Sequence, residues 1–289
     1  MSTHTQLKVL TATDIRGSKK QRRLTMLTAY DYPTASIADA AEMDMLLVGD
    51  SLAMVVLGHD DTLSVTMDEM IHHCRAVARG TQRALVVGDM PFMSYETGVE
   101  DAMRNAARMF REGGVRAVKL EGGLSVTPQI KALTQAGIPV VGHIGLTPQR
   151  VAALGGFKVQ GRSAEAARLL LEDAKALEEA GCFALVLEAI PAPVARHITE
   201  SISIPTIGIG AGADCDGQVL VFHDLLGLYD KFTPRFVKRY AELRQEAVKA
   251  IGQYRDEVIQ GTFPQKEHSF TMPQEELEMW EKSIKDRND

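Results

Sequence analysis

Ionisable residues in this sequence gather at one kind of place, the C-terminal ends of short apolar runs. The run 45–50 finishes in Val48-Gly49-Asp50-Ser51, the run 84–89 in Val87-Gly88-Asp89 and the run 117–121 in Lys119-Leu120-Glu121. The next two, 139–143 and 184–188, finish in Gly142-His143 and Leu187-Glu188. One acid so placed is ordinarily a loop residue capping the following helix. Five successive runs ending in an ionisable side chain are hard to obtain that way. Side chains two apart on a strand share a face, so Lys119 and Glu121 point together while Val118 and Leu120 point away. Brought to one site, these ends would assemble four carboxylates, one lysine and one histidine. Such carboxylates cannot all stay ionised without a compensating cation, because like charges raise one another's pKa. Lys119 offsets one of them. For the others a divalent metal is the natural partner, and oxygen-only ligands favour Mg²⁺ over zinc or copper.

The elements that must bring these residues together follow from periodicity. Apolar runs at 24–30, 45–50, 84–89, 117–121, 139–143, 184–188, 205–210 and, least sharply, 219–223 alternate with helical stretches. The helices are expected at 34–42, 66–79, 99–112, 127–136, 164–180 and 193–201. Near-continuous apolar strands alternating with helices read as a parallel sheet covered on its outer face. Eight of them, with no dinucleotide-binding glycine pattern in the first turn, favour an α/β fold of the (β/α)8 TIM-barrel type over a doubly wound sheet. In such a barrel the strand C-termini share one face, and that face carries the active site. Thr11 and Asp14 resemble a capping box, so a short helix precedes the barrel. The expectation is a single barrel domain over 1–289, with an arm at 1–23 and barrel elements over 24–235. A C-terminal helical extension at 236–270, helical to about Gly261, and a charged tail at 271–289 follow. In the tail Leu277, Trp280 and Ile284 stand at helical spacing, fit either to dock on a neighbouring subunit or to fray.

The 289 residues carry 32 Lys and Arg against 38 Asp and Glu, a net charge of −6, and 45% are hydrophobic. That is too apolar for a disordered chain and too acidic for a general nucleic-acid binder. Residues 1–10 have no apolar leader core and no stretch suits a membrane span, so the expected address is the cytoplasm. Cys74, Cys182 and Cys215 form no C-x-x-C pair and read as buried small hydrophobes. His72 and His73 read as packing or surface residues, and Met43, Met45 and Met54 as core. Arg16, Lys19, Lys20, Arg22 and Arg23 read as a solvated helix end. The run from Gly208 to Gly212 leaves two readings open. It is a phosphate cradle, or its small residues let the backbone pass close to a neighbour.

The chain closely resembles the ketopantoate hydroxymethyltransferase (3-methyl-2-oxobutanoate hydroxymethyltransferase) family. The stretches that carry the resemblance are Thr28-Ala29-Tyr30-Asp31-Tyr32, Leu47-Val48-Gly49-Asp50-Ser51-Leu52, Asp89-Met90-Pro91-Phe92 and Val118-Lys119-Leu120-Glu121-Gly122-Gly123. They continue with Gly142-His143-Ile144-Gly145-Leu146-Thr147-Pro148-Gln149, Leu187-Glu188 and the segment from Gly208 to Asp224, covering about residue 7 to Phe270. Ala53 stands where the family usually has Gly, and Ser64 where Pro is common, both in the loop after the second strand.

The resemblance implies a Mg²⁺-dependent barrel enzyme, typically a decameric homo-oligomer, serving pantothenate biosynthesis. It would transfer a one-carbon unit from 5,10-methylene-tetrahydrofolate to 3-methyl-2-oxobutanoate, giving 2-dehydropantoate. On the matching motifs Asp50 and Asp89 would ligate the metal, and so meet the substrate, with Glu121 in or next to its coordination shell. Ser51 and Lys119 would hold the 2-oxo acid, and Glu188 would be the base. His143 would bind substrate, order the groups around the metal or serve structure alone. Leu185, Leu187, Ala189 and Ile190 around Glu188 suggest partial desolvation, which would make it a better base. The local motifs alone also permit a metal-dependent lyase or mutase acting on 2-oxo acids. A Schiff-base role for Lys119 would need a neutral amine, which Glu121 disfavours. A non-enzymatic barrel would have little reason to keep four acids crowded together. No folate pocket is legible in the sequence.

Overall fold

The computed structural model describes residues 8–287. Its strands form where the apolar runs are: β1 Leu24–Thr28, β2 Met45–Val48, β3 Leu85–Asp89, β4 Ala117–Glu121, β5 Val140–Gly145, β6 Ala184–Glu188, β7 Thr206–Ile209 and β8 Gly217–Leu220. Each strand pairs in parallel with the next, and β8 pairs with β1 to close an eight-stranded barrel. The helices are α1 Ala12–Gly17, α2 Tyr32–Ala40, α3 Leu52–Val55, α4 Met67–Gly80, α5 Val99–Arg108, α6 Thr127–Gln135, α7 Val151–Leu154, α8 Ala164–Glu179, α9 Ala192–Ser201 and α10 Phe222–Leu225. Helix starts are chemically marked. Reciprocal side-chain caps join Thr11 to Asp14, Asp31 to Thr34 and Thr66 to Glu69, at the heads of α1, α2 and α4. Each such cap is worth about 1 kcal/mol.

Strand alternation sorts the apolar side chains into two cores. Leu24, Met26, Met45, Leu85, Val87 and Ala117 fill the barrel. Leu27, Leu46, Val48, Val86, Val118 and Leu120 face outward against the helices. Ile15 of α1, with no exposed surface, joins the inner core beside Leu24, Met45 and Leu85, the first or nearly first residues of their strands. Helix α1 therefore stoppers the barrel at the end where strands begin. The opposite end is left for polar side chains.

Three expectations change and one open choice closes. The eighth strand lies two residues earlier than its apolar signal, because a Cβ at Gly217 would stand 2.6 Å from the Leu24 carbonyl and only glycine lets β8 reach β1. Helix α5 ends at Arg108 and passes into a wider π-helical turn, Met109–Gly113, rather than continuing to 112. The basic cluster is not a solvated helix end throughout. Lys19 is nearly buried and its ammonium joins Asp216 at 2.8 Å and the carbonyls of Thr199 and Ile204, while Arg22 pairs with both oxygens of Asp44 at 2.8 Å. Of the two readings of the glycine run, close packing is the one seen. A Cβ at Gly210 would meet the Phe236 ring at 2.7 Å, and one at Gly212 would run into Ala192.

The three cysteines are buried. Contacts divide the chain between Ala241 and Glu242 into two units. The second holds α11 Leu243–Gln260 and α12 Gln274–Lys285. No residue of α11 is buried, and its Val248, Ile251, Val258 and Ile259 are exposed, as are Trp280 and Ile284 of α12. Among the described residues no helix is long and apolar enough to cross a membrane.

Candidate active site

Register brings the ionisable strand ends together. Asp89 of β3 pairs with Lys119 of β4, and Glu121 of β4 pairs with His143 of β5. Alternation aims all four into the barrel, since Val87, Ala117 and Val141, two residues earlier on each strand, belong to the inner core. Glu188 reaches the same mouth as the last residue of β6, in step with inward Ala184 and Val186. Asp50 arrives differently. Strand β2 stops at Val48, and continued alternation would send residue 50 to the helix side with Leu46 and Val48. The Gly49 turn carries it back, and the Asp50 amide donates to Asp89 Oδ2 at 3.3 Å. Ser51 follows, with its Oγ 2.9 Å from the hydroxyl of fully buried Tyr30.

Carboxylate oxygens of Asp50, Asp89 and Glu121 lie within 4.8 Å of one another, and all three residues are buried. The Lys119 ammonium sits 2.7 Å from Asp89 Oδ1 and 3.6 Å from Glu121 Oε1. His143 bridges the next pair, Nδ1 at 3.3 Å from Glu121 Oε1 and Nε2 at 3.3 Å from Glu188 Oε2. Burial first, then the negative charges of Asp89 and Glu121, push the Asp50 carboxyl well above the usual range. Burial likewise raises Asp89, with Lys119 pulling it partly back. Burial also opposes ionisation of Glu121, but the charges of His143 and Lys119 outweigh it and hold the carboxyl below its ordinary value. Around Lys119 the three acids overcome burial and raise the ammonium pKa, so the amine stays protonated. For His143, burial and Lys119 work against protonation, yet Glu121 and Glu188 raise it to about 9.

This charge pattern fits a hard divalent cation. The Lys119 ammonium and the His143 ring offset Glu121 and part of Asp89, yet the two aspartates resist ionising together without more positive charge. Asp89 Oδ1, despite the nearby ammonium, has no well-aligned hydrogen bond. Every donor in the cluster is a carboxylate oxygen, the preference of Mg²⁺ rather than of a soft metal.

A family model described as ketopantoate hydroxymethyltransferase matches residues 9–266. The chain belongs to the ketopantoate hydroxymethyltransferase family. A protein of Oleidesulfovibrio alaskensis named 3-methyl-2-oxobutanoate hydroxymethyltransferase is 73% identical over 289 residues, all of both chains. One of the same name from Moorella thermoacetica is 61% identical over 252 residues, 87% of this chain and 94% of that protein. Among solved structures, phosphonopyruvate hydrolase in complex with oxalate and Mg²⁺ superposes with a TM-score of 0.58 at 12% identity, over 96% of this chain and 98% of that one. A 2,3-dimethylmalate lyase gives 0.57 at 18% identity, over 90% and 92%. Likeness at such identity shows the barrel fold alone.

In this member of the ketopantoate hydroxymethyltransferase family, Asp50, Ser51, Asp89, Lys119, Glu121, His143 and Glu188 all stand at one barrel mouth. The setting of Glu188 differs in one respect from its apolar sequence context. Leu185 and Leu187 face the outer core, and the carboxylate is paired with His143. Buried Tyr95 and Gln149, which touch the acid cluster, had no task assigned from sequence. Gln149 Nε2 donates to Asp50 Oδ2 at 3.0 Å, and the Tyr95 hydroxyl donates to Gln149 Oε1 at 2.6 Å. Gln149 closes the motif that begins at Gly142, a usable signal; Tyr95 sits in a loop without one. The phosphate reading of the glycine run finds no support at the mouth. A groove of about 610 Å³ beside Gly210 and Gly212 is lined by Arg23, Thr25 and Phe236, and by none of the mouth carboxylates.

Proposed function

We propose that this protein transfers a hydroxymethyl group from 5,10-methylene-tetrahydrofolate to 3-methyl-2-oxobutanoate, giving 2-dehydropantoate for pantothenate biosynthesis. The observation that carries the reading is the buried Asp50–Asp89–Glu121 cluster flanked by a fixed ammonium, with Glu188 across His143. Asp50 and Asp89 would hold Mg²⁺, with Glu121 in or next to its coordination shell. When bound, the ion supplies Lewis acidity to the ketone oxygen of a 2-oxo acid and so lowers the cost of enolisation.

The remaining work falls to side chains. Lys119 offers a preorganised positive charge to the substrate carboxylate, better than mobile water because it needs no reorientation. The Ser51 hydroxyl, fixed by Tyr30, gives that carboxylate a hydrogen bond. Glu188 takes the C3 proton, and His143 holds the carboxylate of Glu188 in place. The resulting carbanion equivalent forms the new bond to the folate-borne methylene carbon. Water supplies the hydroxyl as that carbon leaves the folate nitrogen, so the reaction consumes one water and needs no oxidant or reductant. A homo-oligomer, by family precedent a decamer, is part of the proposal, supported by the exposed apolar side chains of α11.

Product analysis tests the reading. Purified protein with Mg²⁺, 3-methyl-2-oxobutanoate and methylene-tetrahydrofolate should form 2-dehydropantoate, and a chelator should stop it. Turnover of the 2-oxo acid to another product without folate would instead indicate a lyase or mutase sharing the same carboxylates.

A further inference from the structure

Gln149 is 3% exposed and spends its polar atoms on the acid cluster and its surroundings. Its Nε2 donates to Asp50 Oδ2 at 3.0 Å and to the Met90 carbonyl at 2.9 Å. Its backbone amide donates to Glu121 Oε2 at 3.1 Å, and its Oε1 accepts the Tyr95 hydroxyl at 2.6 Å. The amide can face only one way. A carboxylate and a carbonyl both accept, so the NH₂ must point at Asp50 and Met90 and the oxygen at Tyr95. Tyr95 is anchored in turn, its oxygen accepting from the Glu121 amide at 3.2 Å.

We infer that Gln149 is the positioning residue of the cation site. Its side chain engages one oxygen of Asp50, which leaves the other presented to the ion in a set orientation, while its backbone amide fixes Glu121 Oε2 on the side away from Lys119 and His143. The inference rests on reading the acid cluster as a Mg²⁺ site. An uncharged donor suits the task, because a lysine or arginine there would neutralise the carboxylates and compete with the cation. The location suits it as well. The turn Pro148–Arg150 after β5 reaches the ends of β2, β3 and β4 at once, through Asp50, Met90 and Glu121.

The test measures Mn²⁺ and Mg²⁺ affinity by calorimetry and Mn²⁺ binding by electron paramagnetic resonance, on metal-stripped protein without substrate. Asp50→Ala should abolish binding; equal affinity in wild type and Asp50→Ala would overturn the cation-site reading and this inference with it. Given a wild-type site that needs Asp50, Gln149→Ala should bind roughly 10–100-fold more weakly, the range seen when groups orienting metal ligands are lost. Gln149→Glu separates geometry from charge. A purely electrostatic role predicts tighter binding from the added negative charge, whereas positioning predicts weaker binding because a carboxylate cannot donate to Asp50. Tyr95→Phe, which keeps the ring and releases the Gln149 amide oxygen and the Glu121 backbone amide but touches no carboxylate, should lose several-fold, and it carries the test should the Gln149 variants fail to fold. Affinity within two-fold of wild type in Gln149→Ala, or in Tyr95→Phe if that is the folded variant, would overturn the inference.

Discussion

Glu188 and His143 stand 3.3 Å apart at the mouth, and the glutamate lies outside the cation cluster. Glu188→Gln keeps shape and polarity but cannot accept a proton. Turnover should fall by about 10²–10⁴-fold, the ordinary contribution of a general base, while metal and 2-oxo acid still bind. Exchange of the C3 hydrogen of 3-methyl-2-oxobutanoate in deuterated water isolates that step; wild-type exchange rates in the variant would pass the role to His143. Asp50→Ala and Asp89→Ala should each lose metal-dependent turnover with the fold intact, and unchanged Mg²⁺ affinity in both would refute their assignment as ligands. A third expectation concerns stability against pH. Burial, offset in part by Arg239, pushes the Asp224 carboxyl from 3.8 up to about 6. The folded state therefore holds this proton more tightly than the unfolded chain does. Its contribution is fully present below pH 3.8 and is lost as pH rises toward 6 and above. Asp224→Asn should remove that decline, gaining on the order of 2–3 kcal/mol at pH 7 relative to pH 4 against wild type, as read from urea melts.

At the scale of elements, the approach of β5 to β6 decides whether His143 meets Glu188. Gly145 ends β5 at φ +100°, the Leu146 amide donates to the Glu188 carbonyl at 2.8 Å, and a Cβ on residue 145 would run into that same carbonyl. Gly145→Ala should therefore cost both backbone strain and a forced separation of the strands, roughly 2–4 kcal/mol together, and should reduce activity. Gly137 is the matched control. It also has a positive φ, +84°, but open space where a Cβ would go, so Gly137→Ala should cost only about 1 kcal/mol and spare turnover. Equal losses from both substitutions, measured by denaturant unfolding, would mean that strand approach is not what Gly145 protects.

At the scale of the molecule, α11 sets the expectation. An 18-residue helix without a buried residue, exposing Val248, Ile251, Val258 and Ile259, gains little from packing, the usual source of helix stability. Association with other copies would cover it, and closed symmetry is the common route. Light scattering at micromolar concentration should return a mass several times the 31.6 kDa of one chain. A monomer mass would contradict the oligomer.

Much of this protein is written in local pattern. Near-continuous apolar runs separated by capped helices determine a parallel barrel, because strands buried on both faces leave no other periodicity. The polar residue closing each run determines which end holds the chemistry, since strand C-termini share a face. Asp89, Lys119, Glu121, His143 and Glu188 were legible for that reason. Tertiary structure decided the rest. Gly217 moved β8 off its apolar signal, because approach to β1 is a long-range steric matter with no local mark. Lys19 and Arg22 looked like solvated charges until Asp216 and Asp44, 197 and 22 residues further on, came beside them. Tyr95 lies 54 residues before Gln149, and Gln149 lies 99 after Asp50. An amide has no charge pattern to betray it in a sequence; its role appears only where folding surrounds it with acceptors.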